Sequence, residues 1–191
     1  MLIDGNDNRA ELIQEQGFTN SNAVIDIAGD GNAVRARQGY FGDENLASIT
    51  LTGNANQVDL AQGEYLSANE SAIHATGSSN ILDVQQGGEG GFNSSSLEVS
   101  GDLNELHVNQ ASLDGGGFFL MDSFVHVDGS LNIASVEQAG VSDQNSSRLR
   151  MVGSQNSVQV EQGGDEVDPN FPAALRSDNF SEITIAGTGN T

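Results

Sequence analysis

Apolar and polar residues alternate along this chain with a period of two, in short runs separated by Gly, Asn and acidic residues. That period puts successive side chains on opposite faces and predicts half-buried β-strands. One set of runs has its apolar or small residues at positions 23/25/27, 47/49/51, 71/73/75, 95/97/99, 123/125/127, 147/149/151 and 181/183/185. Its candidate core residues are Ile25, Ile27, Ile49, Leu51, Ile73, Leu97, Val99, Val125, Val127, Leu149, Met151, Ile183 and Ile185. A second set begins with Ala10 and Leu12 and continues through Val34, Val58, Leu60, Leu82, Val84, Leu106, Val108, Val136, Val158 and Val160. No stretch carries the 3.6-residue period of a helix.

The two sets are tied together by a fixed frame. Gly recurs at 5, 29, 53, 77, 101, 129, 153 and 187; three residues after each comes Asn, at 8, 32, 56, 80, 104, 132, 156 and 190. Six residues after the Asn comes Gln, at Gln14, Gln38, Gln62, Gln86, Gln110, Gln138 and Gln162. The step is 24 residues, lengthening to 28 between Gly101 and Gly129 and to 34 between Gly153 and Gly187. Both extensions fall after Gln, in expanded loops at 111–120 and 163–178, where a stacked array tolerates insertion because the extra chain bulges outward. The whole of 1–191 therefore reads as one repeat domain. Half a repeat at 5–14 is followed by complete units at 21–38, 45–62, 69–86, 93–110, 121–138 and 145–162, then by a second half at 179–190.

Each unit is strand, Gly-containing turn, strand and a return loop rich in Gly and acids. One such arch buries too little apolar surface to stand alone, whereas stacked arches share a continuous narrow core. The expected fold is an all-β solenoid of strand–turn–strand repeats with cross-β stacking. The glycines Gly5, Gly29, Gly53, Gly77, Gly101, Gly129, Gly153 and Gly187 supply the tight arc. Stacking in register would lay Asn8, Asn32, Asn56, Asn80, Asn104, Asn132, Asn156 and Asn190 over one another, and the seven Gln likewise, as amide ladders along the axis. The plainer alternative is that these amides only mark polar turn positions.

Charge and composition narrow the function classes. Twenty-seven acidic residues against six Lys+Arg give a formal charge of −21, which disfavours nucleic acid and anionic membrane as partners. Cys is absent, and no apolar stretch approaches a membrane span. The opening residues 1–5 lack the basic and apolar regions of a secretory leader, so a secreted protein would be read here in its mature form. Catalytic constellations are not evident. His74, His107 and His126 fall on outward positions of different repeats, and no G-x-S-x-G or H-E-x-x-H pattern occurs. Asp4–Asn8 and Gly29–Asn32 have the look of calcium loops, yet the acid does not recur in the other turns. No cofactor is expected beyond diffuse screening of the charge by Ca2+ or other cations.

The two half repeats are expected to leave strand edges that mate head to tail, with Ala10, Leu12 and Gln14 of one copy meeting Ile183, Ile185 and Asn190 of another. The frame resembles the curlin repeat of curli, the bacterial functional amyloid of biofilm matrix. That repeat has Ser, then Gly at +8, Asn at +11 and Gln at +17; Ser21, Gly29, Asn32 and Gln38 keep this spacing, with Asn in place of Ser in most other units. The family's first-strand Gln at +6 is apolar here, as at Ile27 and Leu51. The resemblance implies an extracellular fibre subunit that polymerises with itself. It also implies a nucleator subunit, an outer-membrane secretion apparatus, and a role in adhesion and matrix scaffolding. The alternative is a monomeric β-solenoid adhesin or a carbohydrate- or ion-binding surface protein, since eight of ten aromatics, among them Phe92, are expected in return loops.

Overall fold

The computed structural model describes residues 1–15, 21–39, 45–63, 67–87, 91–111, 120–139, 145–162 and 179–190. For 67, 68, 91, 92, 111, 120, 121, 139, 145, 162 and 179 it describes the backbone alone. The expanded loops proper, 112–119 and 163–178, lie outside the described residues, as do most of the return-loop aromatics.

Strand follows strand throughout. In chain order they are β1 (Leu2–Asp4), β2 (Arg9–Gln14), β3 (Asn22–Ala28), β4 (Ala33–Gln38), β5 (Leu46–Thr52), β6 (Gln57–Gln62), β7 (Ser67–Thr76) and β8 (Ile81–Gly87). Then come β9 (Gly91–Ser96), β10 (Val99–Ser100), β11 (Glu105–Ala111), β12 (Leu120–Asp128), β13 (Ile133–Ala139), β14 (Asn145–Val152), β15 (Ser157–Gln162) and β16 (Asn179–Ala186). They form two parallel sheets. The first runs β1-β3-β5-β7-β10-β12-β14-β16, with β9 pairing β7 and β12; the second runs β15-β13-β11-β8-β6-β4-β2. β9 and β10 make one rung between them, because Leu97 and Glu98 keep the ladder through Leu97 N–H to Ala72 O and Glu98 N–H to Val125 O. The chain thus alternates between two facing sheets and advances one rung per repeat, which is a β-solenoid.

Register follows the repeat. Ile25 pairs with Ile49 and Ile49 with Ile73; Val34 pairs with Val58 and Val58 with Leu82. A slip of one residue would turn every apolar side chain outward, so the alternation itself fixes the stack. The strand β5 shows the result, with Ala47, Ile49 and Leu51 buried and the intervening Leu46, Ser48 and Thr52 exposed. The buried residues of both sheets join in one narrow cluster from Ile25 to Val160. The candidate core residues are buried except Ile183 and Ile185, which with Ala10 and Leu12 are partly buried against it. Those four lie on β16 and β2, the outermost described strands of their sheets, which have a neighbour on one side only.

Several boundaries differ from expectation. β7, β9 and β12 begin at Ser67, Gly91 and Leu120, inside the stretches read as return loop, and β11 carries on to Ala111. Phe92 therefore belongs to a strand, paired with Ala68 and Leu120, and not to a loop. The cause is rung-to-rung pairing. Ala111 finds Gly87 on one side and Ala139 on the other, so the ladder runs past the point where alternation stops.

Candidate self-assembly site

The turns are where the repeat frame does its chemistry. Gly29 has φ of +126, a conformation open to glycine, and a Cβ there would overlap the carbonyl oxygen of Gly53 one rung along. The same clash recurs at Gly5, Gly53, Gly77, Gly101, Gly129 and Gly153. The close approach sets up the Asn column. Asn32 Nδ2 donates to Gly53 O at 2.8 Å, and Asn56 Nδ2 donates to Gly77 O at 2.9 Å.

Each Asn also reaches its neighbour. Asn32 N–H and Nδ2 both donate to Asn8 Oδ1, at 2.9 and 3.1 Å, and the pattern continues through Asn56, Asn80, Asn104, Asn132 and Asn156 to Asn190. A backbone N–H can only donate, so Oδ1 must face it. That fixes the amide orientation and gives the ladder one direction, with donors pointing toward the lower-numbered rung. From Asn32 to Asn156 these side chains are buried. Interior amides are tolerated because both hydrogens and the oxygen are bonded.

The Gln column closes the other end of each second-sheet strand and runs the opposite way. Gln14 Nε2 donates to Gln38 Oε1 at 3.1 Å, Gln38 to Gln62 at 2.9 Å, Gln62 to Gln86 at 3.0 Å, Gln86 to Gln110 at 2.9 Å and Gln110 to Gln138 at 2.8 Å. The second hydrogen crosses to the facing sheet, as in Gln86 Nε2 to Glu70 O at 3.0 Å. The side chain of Gln162 lies outside the described part of the structure. The two long ladders therefore carry opposed amide dipoles along one axis.

A third ladder was not read from the sequence. Asn45, Asn69 and Asn93 are buried, and Asn93 Nδ2 donates to Asn69 Oδ1 and Asn69 Nδ2 to Asn45 Oδ1, both at 2.8 Å. The recurrence of Asn eight residues before Gly was visible, but Ser21 and Met121 interrupt the column. Beside it Ser71, Ser95, Ser123 and Ser147 are buried with hydroxyls that have no hydrogen-bond partner among the described residues.

The remaining candidate chemistry has local explanations. Asp30, in the calcium-like stretch, accepts Asn6 N–H at 2.6 Å and Asn6 Nδ2 at 3.1 Å, so its carboxylate belongs to the turn stack. His107 lies 3.1 Å from Glu105 and 3.6 Å from Asp83 on the outer face of the second sheet, and His126 stacks obliquely on Phe124. Among the described residues no group of three or more His, Asp or Glu is placed to hold a metal ion. No described helix is long and apolar enough to cross a membrane.

At both ends of each sheet the outermost described strand pairs with a described strand on one side only: β1 and β16 in the first sheet, β2 and β15 in the second. Among the described residues the Asn column ends at Asn190, which donates to Asn156 Oδ1, and at Asn8, whose Oδ1 accepts from Asn32 and whose Nδ2 donates to Gly29 O at 2.6 Å and Asp4 O at 3.5 Å. Comparison with protein-family models, curated proteins and solved structures gives no match.

Proposed function

We propose that this chain is the structural subunit of an extracellular, curli-like functional amyloid fibre that grows by stacking β-strands head to tail, scaffolds biofilm matrix and supports adhesion. It has no enzymatic role in this reading. The observation that carries the proposal is the polarity of the buried ladders. Along the columns, a rung such as that of Asn32 and Gln38 offers an Asn donor and a Gln acceptor to its lower-numbered side and an Asn acceptor and a Gln donor to its higher-numbered side, so an added rung meets the bonds that already hold the stack together. A ladder with a direction favours head-to-tail growth over head-to-head pairing, and non-closing head-to-tail contacts make filaments. The resemblance to curlin repeats adds a nucleator subunit and an outer-membrane secretion route as partners.

Incubating the purified chain at neutral pH and examining it by negative-stain electron microscopy and fibre diffraction tests the reading. Unbranched filaments with a meridional reflection at about 4.8 Å are expected. A stable monodisperse monomer after prolonged incubation would sink it and leave the monomeric surface adhesin.

A further inference from the structure

The third residue of every Gly-x-x-Asn turn adopts the left-handed conformation, with φ near +60 in most rungs. Gly, Asn and Asp enter this region easily, and a larger side chain is strained there. Other rungs place Asp7, Gly31, Ala55, Ser79, Gln155 or Gly189 at this position. Two consecutive rungs instead carry leucine, Leu103 at φ 57 and Leu131 at φ 60. Neither is buried in compensation: Leu103 is 55% exposed and Leu131 47%. Backbone preference and core packing both argue against leucine here, so the side chains answer to something outside the solenoid.

The adjoining outward column supplies two more exposed apolar groups, Ile81 at 42% and Ile133 at 48%. Glu105 pairs with both in register, so these residues occupy three consecutive rungs along the turn edge of the second sheet. The rim of the patch is acidic. Asp102 precedes Leu103 and is exposed, with its Oδ1 accepting Ser78 N–H at 2.6 Å; Glu105 lies between the two isoleucines, and Asp83 stands two residues beyond Ile81. Of the basic residues of this face, His107 stands beside Glu105 and Asp83, while Arg9, Arg35 and Arg37 belong to β2 and β4, separated from β8 by β6.

We propose that this edge docks a cationic amphipathic segment of another protein, with apolar side chains set against Leu103, Leu131, Ile81 and Ile133 and Lys or Arg set against Asp102, Glu105 and Asp83. A second copy of this chain is a poorer fit, because it brings the same acidic rim and a formal charge of −21. The inference does not rest on the fibre reading, since the residues face away from the ladders and are presented by a single solenoid as well as by a filament.

The test is fluorescence anisotropy of a labelled amphipathic Leu/Lys peptide titrated onto the intact chain, read by co-sedimentation if filaments form. Saturable binding is expected. Leu103→Gly and Leu131→Gly should each weaken it about tenfold, while thermal unfolding stays unchanged or moves upward because glycine relieves the backbone strain. Asp102→Asn should weaken it further at low salt. Equal affinity for the Leu→Gly variants would mean that net charge alone attracts the peptide, and the proposal would fall. It would fall equally if a Leu/Ser peptide bound as tightly. Sedimentation showing that Leu103→Gly abolishes a self-association of the wild-type chain would assign the edge to a second copy instead.

Discussion

Asn80 makes bonds in three directions at once. Its Nδ2 donates to Asn56 Oδ1 at 3.0 Å and to Gly101 O at 2.9 Å, and its Oδ1 accepts Asn104 N–H and Nδ2, both at 3.0 Å. Asn80→Ala deletes all four and strands buried donors on Asn104. Removing one partner of a buried polar group costs more than the bond is worth, because the survivor is left desolvated. Ser95 is the opposite case. Its hydroxyl is buried without a partner among the described residues, and Ala23 and Ala47 occupy the same column in earlier rungs. Urea unfolding of the unassembled chain should therefore show contrasting signs. Asn80→Ala is expected to lose about 2–4 kcal/mol, and Ser95→Ala to be neutral or to gain up to about 1 kcal/mol. A Ser95→Ala variant that loses more than about 1 kcal/mol would mean that water satisfies the hydroxyl column.

At the scale of the element, the Gly-x-x-Asn turn holds two glycine positions that look alike in sequence and differ in cause. At Gly77, φ is +119 and an added Cβ would overlap the Gly101 carbonyl; at Gly31, φ is +67 and nothing lies within 4 Å of the added atom. Gly77→Ala should thus cost about 3 kcal/mol or more, while Gly31→Asn should be nearly neutral, as circular-dichroism melting of the two variants would show. Similar destabilisation by both would refute the close-approach explanation. This pair also marks what was legible beforehand. The strand centres, the Gly column and the Asn and Gln ladders could be read because period-two alternation and strict spacing encode them. The start of β7 at Ser67 and of β9 at Gly91 could not, because these strands extend by pairing with each other in segments with no alternation to signal it. The Asn45–Asn69–Asn93 ladder was hidden by the breaks in its column. The significance of Leu103 and Leu131 needed the backbone, since in one dimension a leucine in a turn shows neither its φ nor its exposure.

For the molecule as a whole, the ladders favour stacking and the charge opposes it. In-register parallel pairing sets Asp59 against Asp83 and Glu137 against Glu161, so like carboxylates stand one rung apart. Rungs are separated by roughly 4.8 Å, well inside the Debye length of about 8 Å at physiological ionic strength, so the repulsion is felt there and grows as salt is removed. With a formal charge of −21 on every copy, joining two solenoids adds to this repulsion, whereas the hydrogen bonds at the joint are indifferent to salt. In the fibre proposed above, growth followed by thioflavin fluorescence should accordingly slow severalfold when NaCl falls from about 150 mM to about 10 mM. It should be fastest as the pH approaches the isoelectric point near 4.1, where carboxylate protonation removes the charge. Diffuse screening predicts that Ca2+ and Mg2+ at equal ionic strength accelerate it alike. Acceleration by Ca2+ that Mg2+ does not reproduce would overturn diffuse screening and require oxygen ligands assembled within the stack. Growth insensitive to salt would mean that the joint keeps the acidic faces of successive copies farther apart than an in-register stack does.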